Sequence, residues 1–332
     1  MRVFITGANG YIGSSLCRTL LAEGWEVHGL VRATSDLHNL EGLPVRLQTG
    51  DLRDPASFAI PDGTTHVIHL ASIVSDTADD ATCRDNIYRL AVNLAAKLDA
   101  LPRPLQRLLY ISTALVLGYN GENISEQHRG ESAMFLPYTR YKAKTEEFFQ
   151  ELRRTRGLPL VILRPGDVYG PYDRVSCAQL LKGCERRLPL IVGRGHCRFG
   201  FCYIDNLCQA VRLALTRPGI EGRAYTVTNG VLPTWGEFFA GLQRRMHYRQ
   251  RLRLPVWAGY ALAGVLRGVQ WLFPRFVPEV NYYRIRRITT GTSYDISQTI
   301  AELGYRPDDR IERQIDQIVA WYEREKENGF IT

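Results

Sequence analysis

The sequence predicts an α/β fold with a doubly wound parallel sheet, followed by a smaller mixed region. Short apolar runs alternate with segments of helical spacing up to about residue 170, which is typical of strand–helix–strand units. Beyond that point the alternation breaks down among prolines and glycines. We therefore expect one domain over residues 1–170, completed by segments near 201–230, and a second region over 171–332.

The predicted elements alternate in the order that right-handed crossovers require. Strands are predicted at residues 3–5, 25–31, 45–48, 65–70, 108–112, 160–163 and 224–227. Helices with apolar residues three and four positions apart are predicted at 14–22, 86–101 and 138–156.

The composition is ordinary for a globular protein, with 332 residues, 45% of them hydrophobic, and a net charge of +8. The seven cysteines form no Cys-x-x-Cys pair and have no histidines at metal spacing, so we expect reduced thiols and no metal. The chain enters a strand at once, which leaves no room for a signal peptide and predicts a cytoplasmic location. No exposed basic groove with stacking aromatic residues is visible, and we expect no nucleic-acid partner.

A glycine-rich turn follows the first strand. Gly7, Gly10 and Gly13 separate that strand from the first helix. Glycines at this spacing allow a tight turn and a close approach of the backbone to a pyrophosphate, and the helix N-terminus offers free N–H groups. An ordinary strand–turn–helix has the same pattern, but its position before several further units favours a dinucleotide-binding domain of the Rossmann type.

Polar and small residues cluster where the predicted strands end. In sheets of this kind the ligand lies beyond the carboxyl ends of the strands. The residues concerned are at 7–13, 32, 51–52, 71–72, 112–113 and 164–170. We therefore expect one composite active site.

Tyr138 and Lys142 lie four residues apart and share one face of a predicted helix. A tyrosine pKa of about 10 must be lowered before the hydroxyl can exchange protons at neutral pH, and a nearby ammonium group has that effect. Tyr322 and Lys326 have the same spacing in a charged helix, where we assign no chemistry. The position of Tyr138 after the fifth strand favours a general acid or base, with Thr113 holding the substrate oxygen.

The chain resembles the extended short-chain dehydrogenase/reductase family over essentially its whole length. The matching motifs are Thr6-Gly-Ala-Asn-Gly-Tyr-Ile-Gly13, Gly50-Asp51-Leu52, His69-Leu-Ala-Ser72, Ile111-Ser-Thr113, Tyr138-Thr-Arg-Tyr-Lys142, Leu163-Arg-Pro-Gly-Asp-Val-Tyr-Gly-Pro171, Phe201-Cys-Tyr-Ile-Asp-Asn206 and Leu303-Gly-Tyr-Arg-Pro307.

The resemblance implies a NAD(P)-binding domain at 1–170 and a mainly substrate-binding region at 171–332. It makes Tyr138 the catalytic acid or base, Lys142 the residue that binds the nicotinamide ribose, and Thr113 the third catalytic residue. The family asparagine of the fourth helix is Asn86 or Asn93, and Asn86 fits the helix slightly better. The cofactor would contact Gly7, Asn9, Gly10, Tyr11, Ile12, Gly13, Arg32, Asp51, Leu52, Leu70, Ala71, Ser72, Tyr138, Lys142, Pro165 and Val168. The family habit also implies a homodimer.

The end of the second strand predicts a preference for NADP(H) over NAD(H). NAD-preferring members carry an acidic residue there, whereas this chain has Val31 followed by Arg32. An arginine offers a bidentate partner for a 2′-phosphate. Asp36 is nearby, in a predicted loop.

Two reactions and one non-catalytic role fit the resemblance. The first is oxidation or reduction of a bulky apolar substrate, as in the 3β-hydroxysteroid dehydrogenase and dihydroflavonol reductase branch. The second is sugar-nucleotide epimerisation, for which Arg198 matches the diphosphate-binding arginine, although the carboxylate of Asp167 would repel a diphosphate. Ala114 and Leu115 replace the acidic pair of the dehydratases, which argues against dehydration. The third role is an NADP-binding sensor or assembly factor, and members of that kind typically lose the catalytic tyrosine or lysine.

The C-terminal region contains an apolar segment, residues 254–277, within a basic stretch. Between residues 244 and 287 there are ten arginines and a single carboxylate, Glu279. The segment is too short to span a bilayer of roughly 30 Å comfortably, and its pattern suits peripheral contact with anionic lipid. Packing on the substrate region or on a dimer partner is the alternative. Either arrangement favours a lipid-like substrate.

Overall fold

The predicted strands form one parallel sheet in the computed structural model, which describes residues 1–128, 130–186, 192–248, 253–273 and 280–331. The strands are β1 (Arg2–Thr6), β2 (Glu26–Val31), β3 (Arg46–Thr49), β4 (His66–His69), β5 (Arg107–Ile111), β6 (Leu160–Pro165), β7 (Asp167–Tyr169), β8 (Phe201–Tyr203) and β9 (Ala224–Val227). Within those residues the main sheet has the order β3-β2-β1-β4-β5-β6-β9. This order confirms the predicted doubly wound α/β fold of the Rossmann type.

Helices connect the strands and cover both faces of the sheet. They are α1 (Tyr11–Ala22), α2 (Asp80–Cys83), α3 (Arg89–Leu98), α4 (Pro137–Arg156), α5 (Ser176–Glu185), α6 (Ile204–Thr216), α7 (Trp235–Arg245), α8 (Val256–Leu272), α9 (Tyr282–Thr290), α10 (Ser297–Leu303) and α11 (Ile311–Glu327). A π-helical turn at Arg84–Tyr88 joins α2 to α3. The helix predicted at 86–101 therefore begins in this wider turn and ends at Leu98, before the prolines at 102 and 104.

The central strand β1 shows how the core is divided between the two faces. Val3 and Ile5 point to a cluster that contains Leu16 of α1, whereas Phe4 points to a second cluster with Leu94 of α3. Alternate residues of a strand face opposite sides of a sheet, and both sides are buried here. The continuous apolar run in the sequence follows from this double burial.

The region after β6 departs from the predicted pattern in one respect. Residues 224–227 form β9 at the edge of the main sheet, where they were expected to form a strand. The short strands β7 and β8 were not predicted, and they pair in parallel from Asp167 and Phe201 onwards as a separate small sheet. Each has three residues, which is too short for a periodic signal.

The apolar segment 254–277 lies mainly in α8, and its last residues, 274–277, fall outside the described part. None of the helices in the described part of the chain has the length and apolar character needed to cross a membrane.

Candidate active site

The glycine turn between β1 and α1 is packed too closely for side chains. Gly7 has a φ of +73°, which favours glycine, and a Cβ on Gly13 would collide with the carbonyl oxygen of Gly7. Helix α1 begins after Gly10, with no side-chain cap and no acidic residue in its first turn. Its N–H groups are therefore available to phosphate oxygens, which fits the predicted pyrophosphate site.

The end of β4 lies directly against this turn. The Thr6 hydroxyl contacts His69 Nδ1 at 2.9 Å and accepts hydrogen bonds from the N–H groups of Leu70 and Ala71 at 3.2 and 3.3 Å. Burial lowers the pKa of His69 to about 3, so this imidazole is neutral. Ala71 thereby lies beside Gly7, and the contact of Leu70, Ala71 and Ser72 with a cofactor stays a prediction.

Asp51 and Leu52, after the end of β3, are the residues predicted to hold the adenine of the cofactor. Asp51 forms a salt bridge of 2.6 Å with Arg53, while the Leu52 side chain is buried in the core. Asn93 of α3 donates a hydrogen bond of 2.7 Å to the carbonyl oxygen of Leu52. Asn86 lies in the π-helical turn and donates to Thr82 instead. Asn93 is therefore the asparagine that braces this loop.

Arg32 projects from the end of β2 and is exposed. Its guanidinium has no salt bridge within the described residues, and its backbone N–H donates to Ser35 Oγ. Asp36 is already engaged: it accepts from the His38 N–H at 2.9 Å and from Arg174 at 2.8 Å. The cation at this corner is thus free to bind an anion, and the nearby carboxylate is neutralised.

The three predicted catalytic residues come together between β5 and α4. Thr113 lies two residues after the end of β5, and Tyr138 lies in the first turn of α4. Lys142 is buried, donates a hydrogen bond of 3.0 Å to the Ile111 carbonyl oxygen, and places its Nζ 6.0 Å from the Tyr138 ring centroid. Proline at the first helical position fixes where α4 begins.

Burial has the largest effect on the pKa values of Tyr138 and Lys142. Burial raises the pKa of Tyr138, and a hydrogen bond with Thr113 offsets part of that rise. Burial also lowers the pKa of Lys142 to about 7, which the carboxylate of Glu146 partly opposes. The sequence predicts that Lys142 lowers the pKa of Tyr138, whereas in the structure burial has the larger effect and raises that pKa. At neutral pH Tyr138 therefore keeps its hydroxyl proton.

Glu146 also belongs to a buried ionic cluster beneath Lys142. Arg164 Nε lies 3.1 Å from both carboxylate oxygens of Glu146, and Arg164 Nη1 also pairs with Glu126. Glu126 accepts a hydrogen bond from Thr226 of β9. The cluster ties the segment after β5 to α4 and to the sheet. Sequence reasoning missed it, because its members are far apart in the chain.

Asp167 pairs with Arg287 of α9 close to Tyr138. Burial raises the pKa of Asp167, and the Arg287 guanidinium opposes that rise. Arg287 lies 4.8 Å from the Phe199 ring centroid, and its buried Nε has no hydrogen-bond partner among the described residues. The predicted repulsion of a diphosphate by Asp167 is thus replaced by a neutral ion pair. Nothing in the sequence pattern singled out Arg287.

Three aromatic side chains, Tyr119, Phe135 and Tyr283, form an aromatic wall close to Tyr138. Tyr283 of α9 lies 5.3 Å from Tyr119 and 5.8 Å from Phe135, measured between ring centroids. Phe135 is 55% exposed, and the buried hydroxyl of Tyr283 has no partner within the described residues. The space beside Tyr138 is therefore bounded by apolar rings with one free hydroxyl.

The remaining predicted residues lie at the edges of the site. Pro165 ends β6 in register with Val227, and Val168 lies in β7. Arg198 donates a hydrogen bond of 2.8 Å to the Leu232 carbonyl oxygen. Its guanidinium is therefore already held by the backbone.

The comparisons with known proteins agree with this geometry. Residues 3–228 match the model of the NAD dependent epimerase/dehydratase family. This match covers the glycine turn, the catalytic trio and the main sheet.

Individual relatives cover the chain from end to end. The sterol demethylase protein B of Methylococcus capsulatus is 31% identical over 353 aligned positions that cover 100% of both chains. The 3 beta-hydroxysteroid dehydrogenase/Delta 5-->4-isomerase of Mycobacterium tuberculosis is 27% identical, covering 97% of this chain and 90% of that relative. The crystal structure of UDP-glucuronic acid 4-epimerase from Bacillus cereus, with UDP-glucuronic acid and NAD, superposes with a TM-score of 0.77 at 21% identity, covering 98% and 99% of the two chains.

The depressed pKa of Lys142 predicts a pH dependence of stability. Between about pH 7 and 10 the unfolded chain holds a proton on this lysine that the folded protein does not, so folding stability gains from this residue as pH rises. We expect urea denaturation near pH 7, 8 and 9 to show wild type gaining stability relative to Lys142→Met. Parallel profiles for the two proteins would show that Lys142 keeps its ordinary pKa.

Proposed function

Because the chain belongs to the NAD dependent epimerase/dehydratase family, within the extended short-chain dehydrogenase/reductases, we propose that it interconverts a secondary alcohol and a ketone on a bulky, apolar substrate. Membership of this nicotinamide-dependent family makes it an enzyme. The observation that carries the proposal is the Asp167–Arg287 ion pair beside the aromatic wall.

The ion pair favours an apolar substrate over a sugar nucleotide. A diphosphate is attracted by net positive charge, and the charge of Arg287 is already neutralised by Asp167. Displacing Asp167 from Arg287 would leave a buried carboxylate unpaired, which is costly. The rings of Tyr119, Phe135 and Tyr283 offer the contact surface that a fused-ring or prenyl-like substrate requires.

The names of two relatives support the same substrate class. One acts in sterol demethylation by its name, and the other is a hydroxysteroid dehydrogenase and isomerase. Both cover nearly the whole chain, including the region after residue 171 that we propose binds the substrate.

The catalytic trio would transfer the proton of the reaction. The bound dinucleotide supplies the acceptor or donor of hydride. In reduction Tyr138 gives its hydroxyl proton to the carbonyl oxygen, and in oxidation it takes the proton back. Thr113 donates a hydrogen bond to the same oxygen, and Lys142 holds the ribose hydroxyls. Thr113 and Lys142 are buried, which limits the access of water to this side of the site.

We propose that the cofactor is NADP(H). The free guanidinium of Arg32 can pair with a 2′-phosphate, while Asp36 is occupied by Arg174 and cannot readily accept ribose hydroxyls.

Sugar-nucleotide epimerisation is the second candidate, and a non-catalytic NADP-binding sensor is the third. The fold-level similarity to the epimerase and the family description favour the second. The retention of Thr113, Tyr138 and Lys142 argues against the third.

Replacing Tyr138 by phenylalanine tests the catalytic role. We expect Tyr138→Phe to lower kcat by at least about a hundredfold, because the proton donor is lost, and to leave dinucleotide affinity within about twofold. Tyr141→Phe in the same helix is the matched control and should keep wild-type turnover. Steady-state kinetics and fluorescence titration measure the two quantities. Full biological function of Tyr138→Phe in cells would favour the sensor instead.

Reversing the charge at Arg32 tests the cofactor preference. We expect Arg32→Asp to weaken NADPH binding by about tenfold or more, because a charge-assisted pair is replaced by repulsion, and to leave NADH binding unchanged or improved. Arg103→Asp, an exposed loop position, makes the same charge change and should alter neither affinity. Equal NADPH affinity in Arg32→Asp and wild type would contradict the assignment.

The nucleotide retained by the purified protein separates the two reactions. A net oxidoreductase must exchange its cofactor at every turnover, so we expect protein purified without added nucleotide to release little dinucleotide on denaturation. Chromatography of the released material measures this. Retained NAD(H) at near one per chain would indicate hydride recycling by an epimerase.

A further inference from the structure

The outward face of α8 is apolar and exposed to an unusual degree. Trp257, Val265, Trp271 and Leu272 are 75%, 64%, 82% and 65% exposed. The opposite face is the one that packs on the protein, where Gly259 lies against Ile285 and Ala263 is buried. Large exposed apolar patches on soluble folds mark interaction surfaces.

The helical spacing shows that this face carries no charge. At about 100° per residue, Trp257, Ala261, Val265, Gly268 and Leu272 lie on one side of α8. Arg267 is the one charged residue of the helix, and it lies on the flank of that side. Apolar residues therefore run along the whole length of the exposed side.

Positive charge lies on α8, just before it in the chain, and on α9, which packs against it. Arg253, Arg267 and Arg286 are exposed, and none of them has a salt bridge within the described residues. The sequence from 254 to 277 contains no aspartate or glutamate. A second copy docked through this face would bring these arginines close to their own counterparts, and like charges oppose such a contact. A partner with a negatively charged surface over an apolar interior complements both the arginines and the apolar face of α8.

We propose that the outward face of α8 binds the surface of an anionic phospholipid bilayer. Trp257, Val265, Trp271 and Leu272 enter the boundary between headgroups and acyl chains, while Arg253 and Arg267 meet lipid phosphates. The 17 residues of α8 extend for about 26 Å, which is shorter than the apolar thickness of roughly 30 Å, so the helix lies along the surface.

The lipid-binding face is one helix away from the aromatic wall. The ring centroids of Tyr260 and Tyr282 are 5.9 Å apart, so α8 is packed on α9, and α9 also carries Tyr283 and Arg287. An apolar substrate dissolved in the bilayer would therefore meet the protein next to its candidate active site. Vesicle binding does not depend on the proposed reaction, and its failure would leave that reaction unaffected.

Binding to vesicles of defined composition tests the proposal. We expect the full-length protein to float with vesicles of phosphatidylcholine and phosphatidylglycerol and to remain behind with pure phosphatidylcholine. Tryptophan emission should shift to shorter wavelengths on binding, because the strongly exposed Trp257 and Trp271 would move from water into the lipid boundary. Trp25 and Trp321 are already buried and should not contribute to the shift. Arg267→Gln should weaken binding about fivefold, the factor expected for one interfacial arginine.

Paired surface variants identify the contact. Trp257→Ser/Trp271→Ser should lose vesicle binding, whereas Val175→Ser/Val231→Ser, which changes exposed apolar residues elsewhere, should bind as wild type does. Absence of wild-type flotation and of a blue shift would overturn the proposal. Vesicle binding by the tryptophan variant equal to that of the wild type would also overturn the proposal. A third contradicting result would be light scattering that shows a wild-type dimer and a monomeric tryptophan variant, neither of which binds vesicles.

Discussion

The close packing of the β1–α1 turn against the end of β4 is the constraint on which the active-site edge depends. Gly7 leaves only 3.1 Å between an added Cβ and the backbone of Ala71, so the two strand ends are nearly in contact. The Thr6 hydroxyl bonds His69 and the backbone of β4 across the same gap. Because neighbouring parallel strands share this register, the loops after β2, β3 and β5 are carried to the same edge.

Buried charge gives this edge its chemistry, and each buried charge has a partner. Lys142 is held by the Ile111 carbonyl oxygen with Glu146 beneath it, and Glu146 is in turn paired with Arg164. Unpaired ions in the same positions would be costly, so these contacts fix side-chain geometry as well as charge. Since Arg164 also binds Glu126, the segment between β5 and α4 cannot shift without disturbing the base of the catalytic helix.

The parts of the fold and of the candidate site that the sequence predicts are those that depend on local patterns. Most strands of the main sheet are short apolar runs, and the glycine spacing and the Tyr138–Lys142 spacing lie within single motifs, so one sequence suffices to find them. β7 and β8 were missed because three residues carry no periodicity. The Asp167–Arg287 pair joins residues 120 positions apart, and the dominance of burial over the Lys142 charge arises only from tertiary packing.

In the proposed function the catalytic trio does not select the substrate, so that choice would lie with the region around α8 and α9. There the Asp167–Arg287 pair removes the net charge that would attract a diphosphate, while aromatic rings supply apolar surface. A strongly apolar substrate is far more concentrated in a bilayer than in water, because transfer from water gains about 0.8 kcal/mol for each buried CH₂ group. A lipid-facing α8 packed on α9 would place the site where such a substrate is abundant. In this proposal Arg253 and Arg267, which have no salt bridge within the described residues, hold the protein at an anionic surface, while Arg287, which is paired with Asp167, keeps the substrate site neutral.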